Sequence, residues 1–303
     1  MLRGRQTVPS DPLRHVTGPT IGSACFDAFY FQHCLGKPYQ RDDEWLGFFG
    51  RMADRIVADL APARVLDAGC ALGLLVEALR ARGVEAFGID LSEFAIGHVH
   101  ESIRPFCRQG SITDPLDRRY DLIVSIEVLE HMPAREAETA IANICAHTDD
   151  VLFSSSPFDF REPTHINVHG PEYWAEQFAR HQCYRDVDFD ASFITPWAIR
   201  FRRRTDPIHR IIRDYERRYW ELLRESNDAR SHAVDIQAQL ASTERERNDL
   251  RAALAAANRQ LEGVNAECQR LEHERVSAVD TIFHMERSLF WRARGLWQRI
   301  RGR

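Results

Sequence analysis

The sequence predicts an α/β domain followed by a long α-helical coiled coil, and three observations support this prediction. Short apolar runs alternate with amphipathic segments over residues 23–204, as in a mostly parallel sheet covered by helices on both faces. From Ile208 to Leu289, apolar residues recur every three or four positions. The apolar fraction of 44% and the charged fraction of 28% are ordinary for a soluble globular protein.

The α/β domain is expected to contain seven strands, with a first helix at residues 43–60 before them. Strands are predicted at residues 63–68, 86–89, 106–111, 120–126, 151–155, 184–189 and 193–201. Further helices are predicted at residues 72–81, 92–103, 135–147 and 171–181. Because no helix separates the last two strands, we expect them to pair antiparallel.

The character of the sequence divides the chain into four parts. Residues 1–22 contain Pro, Gly, Ser and Thr without periodicity, so we expect a flexible N-terminal arm. The α/β domain is predicted at residues 23–204 and the coiled coil at residues 205–287. Residues 288–303 form a tail with five arginines and no acidic residue, which predicts a basic amphipathic helix.

Composition and charge exclude several classes of protein. The N-terminal residues contain no apolar stretch typical of a secretory signal, and no apolar run reaches the roughly 20 residues that cross a bilayer. Seven cysteines without a C-x-x-C pair favour reduced, buried thiols over a disulfide framework or a zinc site. The net charge of −5 argues against a broadly basic nucleic-acid-binding protein. We therefore expect a cytoplasmic chain without a nucleic-acid partner.

Three motifs follow the ends of predicted strands, where ligands bind in open α/β sheets. The first is VLDAGCALG at residues 65–73, in which Gly69 permits a tight turn close to a ligand. The second is GIDLS at residues 88–92, whose Asp90 is placed to accept hydrogen bonds from ribose hydroxyls. The third is SIEVLEHMP at residues 125–133. The glycine pattern is not G-x-G-x-x-G, which disfavours nicotinamide dinucleotides.

In this order and spacing, the three motifs resemble those of class I S-adenosylmethionine (SAM)-dependent methyltransferases over about residues 25–204. The resemblance implies a Rossmann-like fold with SAM as the cofactor. One departure is Ala71, where many members have a second glycine, and alanine is small enough for the cofactor still to bind. The resemblance assigns to the cofactor Asp67, Gly69, Ala71, Asp90, Leu91, Ser111, Ile112, Ile126 and Glu127.

Methyl transfer to a hydroxyl group needs a base that removes the proton, and histidine is the usual one. His165 and His169 lie in the loop after the fifth strand, where such enzymes meet their acceptors, and His131 lies in the third motif. We expect His165 or His131 to be the catalytic base, and we favour His165. The alternative is that these histidines only form hydrogen bonds that hold a loop.

A metal site is the second possibility for the third motif. Glu127, Glu130 and His131 form an E-x-x-E-H sequence. It resembles the divalent-metal cluster of some methyltransferases that act on RNA 3′ ends and on quinone precursors. Such a cluster would hold Mg²⁺ beside an acceptor hydroxyl and lower the pKa of that hydroxyl, with His165 as a fourth ligand. In other members the same sequence only begins a helix.

Residues 29–41 are rich in aromatic and polar side chains. The sequence predicts either that this segment covers the cofactor, with Tyr39 or Arg41 touching it, or that it packs against the edge of the sheet.

The apolar period of 3.5 residues after Ile208 predicts a left-handed coiled coil that is about 120 Å long at about 1.5 Å per residue. A two-stranded homo-oligomer is its simplest form. The tail would place apolar residues, including Trp297, on one face of a helix. This pattern is typical of contact with an anionic membrane surface, and the alternative is a protein partner such as a glycosyltransferase.

The arrangement of a methyltransferase domain, a coiled coil and a basic aromatic tail resembles proteins of bacterial surface-polysaccharide assembly. We therefore expect O-methylation of a sugar hydroxyl, on a glycan or a nucleotide sugar, at the inner face of the membrane. One alternative is a small-molecule O-methyltransferase that acts on a phenol or a quinone precursor. The other is a scaffold of a glycan-assembly complex with vestigial methyl transfer.

Overall fold

The computed structural model describes residues 22–287 and 289–302. The arm predicted at residues 1–22 therefore lies outside the described residues, apart from Gly22. The chain forms two compact units, of which the first ends at Trp220 and the second begins at Glu221.

One seven-stranded sheet forms the centre of the α/β domain, as the sequence predicts. Its strands are β1 (Arg64–Ala68), β2 (Glu85–Asp90), β3 (Cys107–Gln109), β4 (Leu122–Ile126), β5 (Asp150–Ser154), β6 (Cys183–Arg185) and β7 (Ile199–Arg203). The strand order is β3-β2-β1-β4-β5-β7-β6, and the first five strands in this order run parallel. β7 pairs antiparallel with β5 and β6, which confirms the prediction for the last two strands. This is the seven-stranded, Rossmann-like sheet that the family resemblance implies.

Helices cover both faces of the sheet, and most begin where the sequence predicts. They are α1 (Ala28–His33), α2 (Asp43–Leu60), α3 (Leu74–Arg80), α4 (Glu93–Gly97), α5 (Ala134–His147) and α6 (Pro171–Ala179). Short 3₁₀ turns lie at Ser23–Cys25, Arg104–Phe106 and Leu129–His131. The Asp42 carboxylate accepts a hydrogen bond from Trp45 N at 2.9 Å and so begins α2 at the predicted residue.

α4 is much shorter than the helix predicted at residues 92–103, and that prediction was wrong. Its start is as expected, because Ser92 Oγ accepts a hydrogen bond from Ala95 N at 3.0 Å. The helix ends at Gly97, which has a low helix propensity, and His98 N caps it by donating to carbonyls of the last turn. Pro105 then excludes a continuous helix into β3.

β6 and β7 are also shorter than predicted, because residues 186–198 form a loop instead of extending both strands. Aspartate side chains hold this loop in tight turns. Asp186 Oδ1 accepts from Asp188 N at 3.3 Å, and Asp190 Oδ1 accepts from Ser192 N at 2.9 Å. Such turns compete with strand pairing.

The core lies on both faces of the sheet, since successive strand residues point to opposite sides. In β1, Val65 packs with the cluster that contains Met52 of α2, whereas Leu66 packs with the opposite cluster. That second cluster contains Trp174 of α6. The two buried faces hold the carboxyl ends of the parallel strands in fixed register.

A long, uninterrupted helix, α7 (Ile208–Arg287), comes after the last strand of the sheet. Its first turns belong to the α/β unit: Ile211 is buried, and Tyr215 Oη accepts a hydrogen bond from Arg185 N at 3.2 Å. Apolar residues of α7 beyond residue 221 are exposed in the single chain, including Ile236, Leu240, Leu250, Leu254, Leu261, Val264, Leu271 and Ile282. The coiled coil stays a prediction.

A last helix, α8 (Leu289–Arg301), forms most of the predicted tail. Among the described residues, no helix combines the length and the apolar character that crossing a membrane requires.

Candidate active site

A cavity of about 360 Å³ opens at the carboxyl ends of β1, β2 and β4. All nine residues that the family resemblance assigns to the cofactor line this cavity: Asp67, Gly69, Ala71, Asp90, Leu91, Ser111, Ile112, Ile126 and Glu127. Of the predicted catalytic and metal residues, His131 also lines it, whereas Glu130 and His165 are not among its lining residues.

The loop after β1 has the tight turn that the first motif predicts. Gly69 has a φ of +91°, and a Cβ atom at this position would lie 2.2 Å from Val128 Cγ2. Glycine is therefore required here by both conformation and space. Gly69 N and Cys70 N donate to the carbonyl of Ile89 at 2.8 and 3.1 Å, which ties the loop to the end of β2.

Asp90 holds the same loop through its carboxylate. Asp90 Oδ2 accepts a hydrogen bond from Ala71 N at 2.7 Å, and Oδ1 accepts from Ser92 N at 2.8 Å. Ala71 has a φ of +47°, which an alanine adopts only at some cost. The carboxylate thus fixes the conformation of Ala71, and each of its oxygens can accept a further hydrogen bond.

Two acids line the cavity, of which Asp67 is buried and Asp90 is half-buried. Burial, together with the charge of Asp90, raises the pKa of Asp67 to about 8. Burial also raises the pKa of Asp90, against the hydrogen bonds from Ser92 and Ala71, which lower it. With a pKa of about 8, Asp67 is mostly protonated near neutral pH. A positively charged ligand in the cavity would lower the pKa of both acids and so favour their ionised forms.

Aromatic residues near the N-terminus form a wall of the cavity. Asp27 Oδ1 caps α1 by accepting from Phe29 N at 2.9 Å and Tyr30 N at 3.1 Å. Tyr30 and Phe31 of α1 are buried and line the cavity, as does Tyr39. The other aromatic residues of this wall are Phe26, Trp45, Phe48 and Phe49.

Arg41 does not line the cavity. Its guanidinium binds Glu77 of α3 through two hydrogen bonds of 2.9 and 2.7 Å. Of the two contacts predicted for residues 29–41, the structure brings Tyr39 to the cavity and pairs Arg41 elsewhere.

His131 is the centre of a chain of hydrogen bonds that leads away from the cavity. Its Nδ1 lies 3.3 Å from the carbonyl oxygen of Thr164 and 2.8 Å from Thr164 Oγ1. A carbonyl only accepts, so Nδ1 carries the proton and donates. Thr164 Oγ1 in turn donates to Glu162. Nε2 is then the acceptor nitrogen, and it faces the hydroxyl of Tyr30 at 3.4 Å.

The environment keeps the His131 imidazole neutral. Burial, together with the nearby His165, lowers the pKa of His131 to about 4. Near neutral pH, a neutral imidazole with an unprotonated Nε2 has the form that a general base requires. Burial also raises the pKa of Tyr30, so that its phenol stays protonated and donates.

His165 and His169 are held by the loop in which they lie. His165 Nδ1 donates to the carbonyl oxygen of Asp159 at 2.8 Å, and its ring centroid is 4.6 Å from that of His131. His169 bonds Asn167 Oδ1 at 3.0 Å and stacks on Tyr173. Of the three candidates, His131 is the one that faces the cavity.

Glu130 anchors the loop at residues 156–167 at both ends. Its Oε1 accepts from Ser156 N at 3.1 Å, and its backbone carbonyl accepts from Ile166 N and Asn167 N, both at 2.9 Å. The side chain is fully buried, and burial, together with the charge of Glu127, raises the pKa of Glu130. The hydrogen bonds of Glu130 to both ends of the loop hold His165 close to His131.

Three potential metal ligands come together, but they differ from the predicted set. Ligand atoms of Glu130, His131 and His165 all lie within 4.8 Å of one another. Among the described residues, Glu130 Oε2 and Glu162 Oε1 are buried without a hydrogen-bond partner. Two imidazoles and a carboxylate suit a transition metal such as Mn²⁺, Fe²⁺ or Zn²⁺ better than Mg²⁺.

Glu127, the third residue of the predicted metal set, is engaged elsewhere. Its carboxylate accepts hydrogen bonds from Ser154 Oγ and, at 2.9 Å, from Trp197 Nε1. Its φ of +54° is unusual for a residue with a side chain, and strained backbone of this kind is common at functional sites. Glu127 still lines the cavity at the end of β4.

Comparison with known proteins agrees with this architecture. Residues 39–189 match the family model described as a methyltransferase domain. Together with the sheet order and the loop after β1, this match identifies that part of the chain as a methyltransferase domain.

Curated proteins that match the chain include several called ubiquinone biosynthesis O-methyltransferase. The protein from Methylococcus capsulatus is 30% identical over 149 residues, which cover 45% of this chain and 59% of that protein. The protein from Azoarcus sp. is 36% identical over 113 residues, which cover 34% of this chain and 48% of that protein. The chain thus spans about half the length of these relatives.

Solved structures with a similar fold are more distant in sequence. One is a SAM-bound amino pentose methyltransferase of calicheamicin biosynthesis from Micromonospora echinaspora, with 16% identity and a TM-score of 0.45 over 54% of this chain and 93% of that chain. Another is a TehB-like SAM-dependent methyltransferase from Corynebacterium glutamicum, with 20% identity and a TM-score of 0.41 over 52% of this chain and 88% of that chain.

We predict that His131 makes the stability of the fold depend on pH below neutrality. Its pKa is about 4 in the folded chain, against 6.5 for an ordinary histidine, so the unfolded chain binds a proton first as the pH falls. Stability is therefore lost between about pH 6.5 and pH 4. From pH 7 to pH 5, the free energy of unfolding should fall by about 2 kcal/mol more in the wild type than in His131→Gln.

Urea denaturation of both chains at the two pH values measures this difference. His181→Gln provides the matched control, because His181 lies away from the cavity at the end of α6. A fall of equal size in the wild type and His131→Gln would contradict a neutral, buried His131.

Proposed function

We propose that the chain is a SAM-dependent O-methyltransferase that acts on the hydroxyl group of a small, phenol-type acceptor. The observation that carries this proposal is the unprotonated Nε2 of His131 at the wall of the cavity, with its tautomer fixed by Thr164.

Asp67 and Asp90 support SAM as the methyl donor. When bound, SAM supplies an electrophilic methyl group on a positively charged sulfonium sulfur. This positive charge would lower the raised pKa values of Asp67 and Asp90 and so favour their ionised forms, and Asp90 has lone pairs for ribose hydroxyls. Leu91 and Ile112 provide apolar surface for an adenine ring.

The chain's own residues would act mainly by positioning and proton removal. The acceptor hydroxyl donates its proton to His131 Nε2 while its oxygen forms the new bond to the methyl carbon. Bound SAM would supply the methyl group and would leave as neutral S-adenosylhomocysteine, so that the transfer needs no further reactant. The imidazolium that results is stabilised by the hydrogen-bond chain to the Glu162 carboxylate.

The lining of the cavity favours an aromatic acceptor over a sugar. The wall formed by Phe26, Tyr30, Phe31 and Tyr39 is apolar, which suits a phenol better than a polyhydroxylated ring. The Tyr30 hydroxyl faces His131 Nε2 at 3.4 Å, so an acceptor phenol would have to displace this hydroxyl to reach the nitrogen. The names of the curated relatives point to the same acceptor class, so we place sugar methylation second.

The cluster of Glu130, His131 and His165 supports a second chemistry. These side chains would hold a divalent ion, which would lower the pKa of an acceptor hydroxyl in place of a base. Removal of metal distinguishes the base mechanism from the metal mechanism. A base needs no ion, whereas a metal site loses its function on chelation.

We predict that the purified chain transfers a labelled methyl group from SAM to catechols and not to nucleotide sugars, and that EDTA leaves the rate unchanged. His131→Gln should lower kcat by roughly a hundredfold or more, because it removes the base. His165→Gln should lower kcat by about tenfold or less, since His165 packs beside His131 but does not line the cavity.

Three outcomes would contradict parts of this account. Methylation of nucleotide sugars alone would assign the polysaccharide function. A rate abolished by EDTA and restored by Mn²⁺ or Mg²⁺ would assign a metal site in place of the base. Equal kcat values for His131→Gln and the wild type would exclude His131 as the base.

We also propose that α7 forms a two-stranded coiled coil with a second copy of the chain. Leucines 250, 254, 261 and 271 follow the apolar period of 3.5 residues and are half exposed or more in the single chain. A partner helix with the same apolar stripe would bury these residues along their whole length.

Sedimentation equilibrium tests this proposal. The wild type is predicted to have twice the chain mass of 35.0 kDa. Leu250→Asp/Leu254→Asp should weaken the dimer by more than about a hundredfold, because it puts charges in the apolar seam. Ala252→Asp/Ala256→Asp adds the same charge off the seam and should leave the dimer intact. A monomeric wild type, or equal effects of the two variants, would contradict the coiled coil.

A further inference from the structure

The C-terminal helix α8 has an exposed apolar face that the methyl-transfer chemistry does not use. Phe290, Leu296, Trp297 and Ile300 are between 54% and 74% exposed. At 3.6 residues per turn, these four and Ala293 fall within an arc of roughly 120° around the helix axis. The face is therefore continuous along the helix.

Arginines border this face on both sides. On the same helical projection, Arg294 and Arg301 follow one edge of the apolar arc, and Arg292 and Arg299 follow the other. The Arg301 guanidinium lies 4.2 Å from the ring centroid of Trp297, so it already extends along the apolar face. Long cationic side chains in this arrangement reach the headgroups when the helix lies in a bilayer surface.

The charge of this segment is opposite to that of the rest of the chain. Residues 288–303 contain five arginines and no acidic residue, so they carry +5. The net charge of the whole chain is −5, and the other 287 residues therefore carry −10. An acidic surface attracts this helix but repels the remainder, which confines contact to α8.

α8 is too short to cross a bilayer. Its 13 residues span about 20 Å, against about 30 Å for the hydrocarbon core. A helix of this length with a tryptophan in its apolar face and arginines at both edges has the properties of a helix that lies in the plane of the interface.

We propose that α8 binds the surface of an anionic phospholipid membrane, with Phe290, Leu296, Trp297 and Ile300 inserted among the lipids and the flanking arginines on the headgroups. The shared negative charge of the headgroups, rather than one particular lipid, is the recognised chemistry. This surface is independent of the proposed methyl acceptor.

Vesicle flotation of the full-length chain tests the proposal. The chain should bind vesicles that contain about one third phosphatidylglycerol at least tenfold more tightly than vesicles of phosphatidylcholine alone. Raising the salt from about 0.1 M to about 0.5 M should weaken binding, because the attraction is screened.

Two variants separate charge from apolar insertion. Arg292→Gln/Arg299→Gln/Arg301→Gln should weaken binding to the anionic vesicles about a hundredfold, at roughly fivefold for each arginine. Leu296→Asn/Ile300→Asn keeps the charge and should weaken binding at least tenfold, because the apolar face is lost. Circular dichroism confirms that each variant retains its helix content.

A matched control carries the same charge change outside α8. Arg245→Gln/Arg251→Gln/Arg259→Gln alters three exposed arginines of α7 that lie off the apolar seam, and it should leave vesicle binding within about twofold of the wild type. No binding to either vesicle, as expected if a protein covers this face, would overturn the proposal. Equal loss of binding in the α7 and α8 arginine variants would also overturn it.

Discussion

The hydrogen bond from Ala71 N to the Asp90 carboxylate is the interaction on which the rest of the site depends. It joins the loop after β1 to the end of β2, and so holds Ala71 in a left-handed conformation that glycine would adopt more easily. Gly69 can then turn against Val128, which brings the end of β4 to the same cavity. Because the parallel strands fix the spacing of these three ends, a single carboxylate is enough to set the shape of the pocket.

A second constraint comes from Glu130, which does not itself line the cavity. This buried side chain ties the loop at residues 156–167 to the 3₁₀ turn that carries His131. The loop returns Thr164 to His131 Nδ1, which determines the tautomer and leaves Nε2 toward the cavity. Glu130, which the E-x-x-E-H sequence suggests as a metal ligand, thus has a structural role. By anchoring the loop, it determines the orientation of the His131 imidazole.

The sequence predicts the parts of this site that depend on local order, and it fails where distant segments meet. All seven strands are predicted from apolar runs, and the nine residues that the family resemblance assigns to the cofactor line one cavity, since parallel strands bring their ends together. The contact of Tyr30 with His131 joins residues 101 positions apart, and that of Trp197 with Glu127 joins residues 70 apart. Nothing local marks such pairs, although the aromatic character of residues 29–41 indicated a cavity wall. The sequence favours His165 as the base, but His131 is the histidine that lines the cavity. The position of His165 depends on how the loop at residues 156–167 folds back, which the local sequence does not reveal.

The central claim is that the pocket between Gly69 and Asp90 binds an adenosyl cofactor, and calorimetric titration of the full-length chain with S-adenosylhomocysteine tests it most directly. The wild type should bind, Asp90→Ala should bind about a hundredfold more weakly, and Asp59→Ala, which removes an exposed acid from α2, should bind as the wild type does. Absence of binding by the wild type, or equal affinities of the wild type and Asp90→Ala, would contradict the account.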